Sequence, residues 1–202
     1  MENPIVLLLL IAVSLYVAKL WFDDLRMRQR GEPHPKALPG STRAPARALV
    51  IAAIGGLVLV LVETWGEQRL GISEEQTKMT LLFAAYTLVA PFVEEIIFRG
   101  FLVVENRGAA VKWAVVLAAS LVFALLHGHF WTFEDSTLTW HFTEKAWFTT
   151  GALFAGSLWF YFVRFAAFNP QHSLAPCFAA HLAKNAGVIA IKAVQGHLVG
   201  LY

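Results

Sequence analysis

The stretch Met79–Val104, MTLLFAAYTLVAPFVEEIIFRGFLVV, is the most informative part of the chain because it is long and apolar and yet carries charge near its middle. A helix crosses the hydrocarbon core of a bilayer with about 20 mostly apolar residues, and this stretch meets that length. Its charged residues are Glu94, Glu95 and Arg99. Each charged side chain costs on the order of 3 kcal/mol at the centre of a membrane helix, so such groups are rare there unless they are paired or functional. The stretch therefore predicts a membrane span with a buried polar site.

The rest of the chain has the composition of a membrane protein. Of its 202 residues, 57% are hydrophobic and 15% are charged, whereas a soluble domain carries roughly 25% charged residues. Six stretches are long and apolar enough to span or nearly so: Pro4–Phe22, Pro45–Trp65, Met79–Val104, Ala109–Leu126, Lys145–Phe168 and Leu174–Val194. We predict an all-α, polytopic membrane bundle of about six transmembrane helices, forming one domain over residues 1–202. The net charge of +2 is too small to indicate a nucleic-acid partner.

The segments between the spans predict the orientation. Residues 23–47 hold six lysines and arginines, with prolines and glycines that favour an irregular conformation. Lys and Arg are enriched in cytoplasmic loops, so we expect residues 23–47 to be a basic cytoplasmic loop and the N-terminus to lie outside. The first apolar stretch is then a retained anchor. The loop 66–78, with Glu67, Glu74 and Glu75, and the aromatic-rich loop 129–148 are expected on the outer side.

The charged residues of the third span predict two different roles. Glu95 and Arg99 are four residues apart, so on a helix they share a face and can form an ion pair. Glu94 points about 100° away from Glu95 and is left to face a cavity. A buried ion-pair cluster that only holds helices together would explain Glu95 and Arg99, but it leaves Glu94 unexplained.

Two further spans carry polar residues at helical spacing. Phe123 and His127 share a face near the end of the fourth span, and His181 and Asn185 share a face of the sixth. At 1.5 Å per residue, Glu94, His181 and Asn185 fall around the middle third of a ~30 Å core, while His127 comes out shallower. A histidine at a helix end is often only an interface residue, and a His–Asn pair can be a hydrogen-bonded contact between helices. The shared depth favours one common cavity.

These residue types suit hydrolysis by an activated water molecule. A carboxylate and a histidine can hold and deprotonate water, and a second histidine with an amide can donate hydrogen bonds to an oxyanion. The sequence contains neither the G-x-S-x-G motif of serine hydrolases nor the H-E-x-x-H motif of zinc proteases. Cys177 lies four residues before His181 and could form a thiol–imidazole pair. A buried cysteine, however, more often behaves as a small hydrophobic residue.

Three motifs together resemble those of the CAAX protease and bacteriocin-processing family, a group of intramembrane endopeptidases that includes the Ras-converting prenyl-protein proteases. The motifs are Glu94-Glu95-x-x-x-Arg99, Phe123-x-x-x-His127 and His181-x-x-x-Asn185. Each motif is weak alone, but their order on separate spans is specific. The resemblance covers about residues 81–194, which would form the catalytic core.

The resemblance implies a role for each residue. Glu94 would activate water with His127, Glu95 and Arg99 would support the site, and His181 with Asn185 would stabilise the oxyanion. The resemblance implies a peptide bond of a membrane-anchored substrate as the target, in prenylated tails or in maturation and sorting segments. It also implies the plasma membrane of a prokaryote as the location.

Two alternatives stay open at the level of sequence. Glu94, His127 and His181 could supply three ligands to a divalent metal such as zinc. A metal-free, glutamic-type mechanism is favoured, because no separate general base is evident if Glu94 binds the metal. The chain could also be a non-enzymatic membrane protein, an immunity factor or a transporter, whose polar cluster is structural.

Overall fold

The computed structural model describes residues 3–73, 76–134 and 136–202. Within them the chain forms six long helices: α1 (Pro4–Gln29), α2 (Ala46–Leu70), α3 (Leu81–Glu95), α4 (Ala109–Leu126), α5 (Glu144–Phe165) and α6 (Ala175–Val194). Each helix, with α3 extended to Phe101, is long and apolar enough to cross a membrane. The predicted all-α bundle of about six transmembrane helices is therefore confirmed.

The first two helices are longer than the apolar stretches that predicted them. Helix α1 continues to Gln29, so the first seven residues of the predicted loop 23–47 are helical and the loop itself spans residues 30–45. Asp23 supports this extension by pairing with Lys19 at 2.6 Å and with Arg26 at 3.3 Å on one helix face. Helix α2 reaches Leu70, which places Glu67 in the helix rather than in the predicted loop 66–78. Glu74 and Glu75 lie outside the described residues.

The third span changes its geometry where the charged residues lie. Pro91 lies inside α3, and from Ile96 to Phe101 the chain continues as a π-helix. Proline lacks the N–H that an α-helix needs, and short π-helical turns often occur at functional sites. The span therefore ends at Phe101 rather than at the predicted Val104.

The bundle has two ends that differ in structure. At the first, which we call the basic end, the connections 30–45, 102–108 and 166–174 meet: Leu174 N donates to Gly40 O at 3.0 Å and His172 lies 3.4 Å from Glu105. At the second, the hairpin end, β1 (Met79–Thr80) pairs in parallel with β4 (Leu198–Val199). The antiparallel hairpin of β2 (Trp131–Glu134) and β3 (Thr137–Trp140) lies in the predicted aromatic loop 129–148. Successive connections along the chain thus lie at opposite ends of the bundle, as six spans require.

The helices pack through small and aromatic side chains. Helix α2 packs most extensively on α6, α1 on α3, and α4 on α5. A Cβ atom added at Gly56 would clash with the backbone oxygen of Ala180, so the backbones of α2 and α6 are in direct contact here. Trp21, Phe160 and Phe178 are buried between the helices. Large apolar side chains on the outer faces of α1, α2 and α4 are exposed, as expected where lipid replaces water.

Replacing Gly56 by alanine should destabilise the bundle, because the new methyl group would force α2 away from α6. Overpacking of this kind costs about 1–3 kcal/mol, so the thermal midpoint of Gly56→Ala in detergent should fall. Gly151 on α5 is the matched control, since no atom lies within 4 Å of the position that a methyl group would take there. Gly151→Ala should leave the midpoint unchanged or raise it, and equal midpoints for the two variants would contradict the close approach.

Candidate active site

A buried ion pair lies at the centre of the site. Arg99 Nη1 donates to Glu95 Oε1 at 3.2 Å, and both side chains are fully buried. The pair predicted from the four-residue spacing is therefore present. Removing one partner of such a pair leaves an uncompensated charge and costs about 3–5 kcal/mol, so the two residues hold each other in place.

Helix α5 completes the surroundings of Arg99. Its Nη2 donates to Ser157 Oγ at 2.6 Å and to Ser157 O at 3.2 Å. The guanidinium carbon lies 4.5 Å from the ring centre of Phe123 and 5.1 Å from that of Phe160, distances at which cation–π attraction is effective. The arginine is thus neutralised by Glu95 and enclosed by aromatic rings.

The π-helical turn that carries Arg99 is also fixed by α5. Tyr161 donates its hydroxyl to Phe98 O at 2.6 Å, and Arg164 Nε donates to Arg99 O at 3.2 Å. These bonds satisfy carbonyl groups that the irregular turn presents to its neighbours. Ser157, Tyr161 and Arg164 were not singled out by the sequence analysis, and their i, i+4 and i+7 spacing on α5 is the signal that could have found them.

His181 is oriented by Glu95 rather than by Glu94. Its Nδ1 lies 2.7 Å from Glu95 Oε1, and the ring stacks on Phe160 at a centroid distance of 4.6 Å. Because an ionised carboxylate only accepts hydrogen bonds, Nδ1 carries the proton and the neutral ring presents Nε2 as an acceptor. This arrangement, a carboxylate that sets the tautomer of a histidine, is the one found in catalytic triads.

Glu94 faces the cavity, as its position on the helix predicted. Its Oε2 lies 3.8 Å from His181 Nε2, which is too long for a hydrogen bond. That oxygen has no hydrogen-bond partner among the described residues. Glu95 Oε2 also has no partner among the described residues, but Glu95 does not line the cavity and its Oε1 is held by Arg99 and His181. The two adjacent glutamates therefore differ because only Glu94 presents a free oxygen to the cavity.

Asn185 lies where the proline of α3 leaves a carbonyl without its helical partner. In an α-helix the N–H of residue 91 would donate to Thr87 O, but Pro91 has no N–H. Asn185 Nδ2 donates to Thr87 O at 2.7 Å instead. An asparagine amide has two N–H groups, so the second one remains for a ligand in the cavity.

His127 follows the last residue of α4, near the hairpin end. Its Nδ1 lies 2.8 Å from Phe123 O, which can only accept, so Nδ1 donates and Nε2 is again left as an acceptor. The predicted face shared by Phe123 and His127 is present, with ring centroids 4.7 Å apart. The residue is exposed, in keeping with its predicted shallower depth.

One cavity of about 660 Å³ connects these residues. Its wall includes all the residues predicted to act on substrate: Glu94, His127, His181 and Asn185. Lys184 and Glu63 also line it and form an ion pair of 2.9 Å. Charged groups within a membrane span are expected to face such a polar cavity or one another. The expectation that four residues from three spans share a cavity agrees with this geometry, whereas the catalytic role of each residue stays a prediction.

Two alternative interpretations of the sequence can be compared with the geometry. No three His, Cys, Asp or Glu side chains in residues 3–73, 76–134 and 136–202 are grouped closely enough to hold a metal ion. Cys177 is fully buried and donates its thiol hydrogen to Phe160 O at 3.3 Å, while His181 Nδ1 is taken by Glu95. The thiol thus packs as a small buried group and does not pair with the imidazole.

Just over half of the chain matches a family of known proteins. Residues 76–187 match the family model of Rce1-like proteins, described as type II CAAX prenyl endopeptidase Rce1-like. The match begins before α3 and ends within α6, so it contains Glu94, Glu95, Arg99, His127, His181 and Asn185 but not Glu63. No curated protein and no solved structure matches the chain significantly.

The coupling between Pro91 and Asn185 can be measured by a double-mutant cycle. Asn185→Ala should lower the free energy of unfolding by about 1–3 kcal/mol, because it leaves the partly buried Thr87 carbonyl without a donor. In a Pro91→Ala background the loss should be smaller, since the N–H of the new residue can donate to Thr87 O. Unfolding of the purified variants in detergent gives the four values.

Pro45→Ala provides the matched control for this cycle, because Pro45 precedes α2 and no helical carbonyl needs its N–H. Its effect should add to that of Asn185→Ala. Additive effects of Pro91→Ala and Asn185→Ala would refute the coupling.

Proposed function

Because the chain belongs to the Rce1-like family of type II CAAX prenyl endopeptidases, and is thus an intramembrane protease, we propose that it hydrolyses a peptide bond with a water molecule activated by Glu94. The observation that carries this proposal is the unpartnered Glu94 Oε2, which faces His181 Nε2 at 3.8 Å within the cavity. A carboxylate with no structural bond at that oxygen is available as a general base.

The first step uses two hydrogen-bond acceptors that face each other, Glu94 Oε2 and His181 Nε2. Glu94 removes one proton from water while the remaining O–H donates a hydrogen bond to His181 Nε2, which holds the attacking oxygen in line with the substrate carbonyl. Glu95 fixes the tautomer of His181, so this role depends on the buried pair with Arg99. The lone pair on Nε2 makes His181 a partner of Glu94 in activating water. This role is in addition to the stabilisation of the oxyanion that the family resemblance implies.

The second step needs donors for the oxygen of the attacked carbonyl. Asn185 offers its second N–H, because only one is used by Thr87 O. The proton that Glu94 takes from water can pass to His181 Nε2 and back, and while it is on the imidazole His181 donates a second hydrogen bond to the oxyanion. Each hydrogen bond to a developing oxyanion is worth about 3 kcal/mol of barrier lowering. The protonated Glu94 then returns its proton to the leaving amine.

We propose that this mechanism is of the glutamic type and needs no metal. The nitrogens left as acceptors on His127 and His181 are of the type that binds zinc, and with Glu94 they form the ligand set of the alternative mechanism. These three side chains are not gathered into a metal-binding group in the described part of the chain. We therefore derive no step through a metal.

The substrate class follows from the position of the site. Glu94, His181 and Asn185 lie on membrane-spanning helices, so the peptide bond must reach the cavity within the membrane. We propose a membrane-anchored protein as substrate, with a prenylated tail or a maturation or sorting segment at the cleavage site, and the plasma membrane of a prokaryote as the location.

A non-enzymatic role, as an immunity factor or transporter, is the competing proposal. It would account for the Glu95–Arg99 pair and for the Lys184–Glu63 pair as contacts between helices. It gives no reason for an unpartnered carboxylate oxygen beside His181. Substitutions that separate activity from stability distinguish the two proposals.

Exchanging each of the adjacent glutamates should separate catalysis from folding. Glu94→Gln should lower cleavage by about 10²–10⁴-fold, with an unchanged thermal midpoint, because Oε2 makes no hydrogen bond that the amide would lose. Glu95→Gln should lower both, because it breaks the pair with Arg99. Coexpression with candidate membrane-anchored substrates and mass spectrometry of the products measures cleavage.

The matched control for these exchanges is Glu105→Gln at the basic end, where the carboxylate is half exposed. It should leave both activity and midpoint unchanged. Full cleavage by Glu94→Gln would refute the glutamic mechanism, and absence of cleavage by the wild type across candidate substrates would favour the non-enzymatic role.

Metal analysis tests the glutamic mechanism directly. The purified protein should contain zinc at well below one ion per chain, and incubation with a chelator should leave cleavage intact. The physical reason is that three ligands are needed for a tight catalytic zinc site, and the described residues do not gather them. Stoichiometric zinc together with loss of cleavage on chelation, restored by added zinc, would replace the proposal with the metal-dependent alternative.

A further inference from the structure

The cavity extends toward one end of the bundle only. From Glu94 and His181 it runs past the Lys184–Glu63 pair to residues at the hairpin end: Glu67, Gln76, Thr77, His129, Lys145 and Lys192. Thr77 and His129 are exposed there. The polar residues at that end make the cavity wettable and give water a path to Glu94.

Toward the basic end the cavity is closed by packed side chains. The layer below Glu94 contains the Glu95–Arg99 pair, both members of which are fully buried. Tyr161 and Cys177 are also fully buried and bond to backbone oxygens of Phe98 and Phe160. Trp21 and Leu174 are buried as well, and Trp21 Nε1 donates to Pro39 O at 3.1 Å. The side chains of this layer do not line the cavity, so within the described residues the layer separates the cavity from the basic end.

The two ends differ in their content of basic residues. The connections and adjoining helix ends of the basic end carry nine lysines and arginines: Arg26, Arg28, Arg30, Lys36, Arg43, Arg47, Arg107, Lys112 and Arg164. The hairpin end carries four: Arg69, Lys78, Lys145 and Lys192. Lys and Arg close to membrane-spanning segments set the orientation, with the richer side in the cytoplasm. The basic end is therefore expected to be cytoplasmic.

From the direction of the cavity and this charge asymmetry, we infer that the catalytic cavity opens to the non-cytoplasmic side of the membrane and takes exported, membrane-anchored polypeptides. The inference rests on the proposed function and narrows its substrate. A lipid-anchored tail on the cytoplasmic surface would meet the closed layer, whereas a segment in the outer half of the membrane or just beyond it reaches Glu94 directly.

The chemistry of the cavity wall fits such a segment. A peptide bond must leave helical structure before it can be attacked, and its N–H and C=O groups then need polar partners inside the membrane. The wall between the opening and Glu94 supplies carboxylates, ammonium groups and hydroxyls on α2, α5 and α6, among them Thr64, Glu63, Thr149 and Lys184. An extended polar or charged segment is thus accommodated better than a purely apolar one.

Cysteine labelling in cells tests the orientation without any need for a substrate. The native Cys177 is fully buried, so the wild-type protein should react with a membrane-impermeant maleimide only after unfolding in detergent. Gln29→Cys at the basic end and Gln195→Cys at the hairpin end are matched variants, since both glutamines are uncharged, exposed and close to a helix end. Thr149→Cys places a thiol on the cavity wall, and Thr64→Cys is a second cavity variant.

The full-length variants are expressed in a bacterial inner membrane and labelled in spheroplasts and in inside-out vesicles. We expect Gln195→Cys and the cavity variants to react in spheroplasts, and Gln29→Cys to react only in inside-out vesicles. The reverse pattern for the two glutamine positions would overturn the orientation. Cavity cysteines that react only in inside-out vesicles, or in neither preparation, would overturn the direction of the opening. Because labelling does not depend on catalysis, either result is separate from failure of the proposed protease activity.

Discussion

The buried pair of Glu95 and Arg99 governs the arrangement of the whole site. Two charges within a membrane bundle are costly unless they pair and find hydrogen-bond partners within the protein. Arg99 also donates to Ser157 on α5 and Glu95 Oε1 accepts from His181 on α6, while Arg99 Nε and Glu95 Oε2 have no partner among the described residues. The pair therefore joins three spans at one depth and sets the position of the histidine beside Glu94.

The neighbouring carboxylates of Glu94 and Glu95 therefore have different roles. Glu95 is fully buried and committed to two cationic or donor groups, so it acts through the orientation of His181. Glu94 is one residue away, on a different helix face, and keeps an oxygen without a partner at the wall of a polar cavity. Two adjacent residues on one helix thus have different environments: Glu95 holds the helices together, and Glu94 is the residue that we propose activates water.

Irregular backbone in α3 also helps to position the site. Pro91 leaves Thr87 O without its helical donor, and Asn185 takes that place from α6. Downstream, the π-helical turn presents the carbonyls of Phe98 and Arg99 to Tyr161 and Arg164. In a membrane each such group must find a partner within the protein, so the irregularities fix how α3, α5 and α6 lie against each other.

Length, apolarity and helical periodicity are local properties, so the amino-acid sequence alone was enough to predict the six spans, the Glu95–Arg99 pair and the separate direction of Glu94. The similar depth of Glu94, His181 and Asn185 could be predicted for the same reason. The tertiary contacts were needed to establish that His181 is held by Glu95, that Asn185 donates to Thr87 and that Lys184 pairs with Glu63. These contacts depend on how each helix is rotated about its axis. In lipid both the buried and the outward faces of a helix are apolar, so hydrophobic periodicity does not fix that rotation.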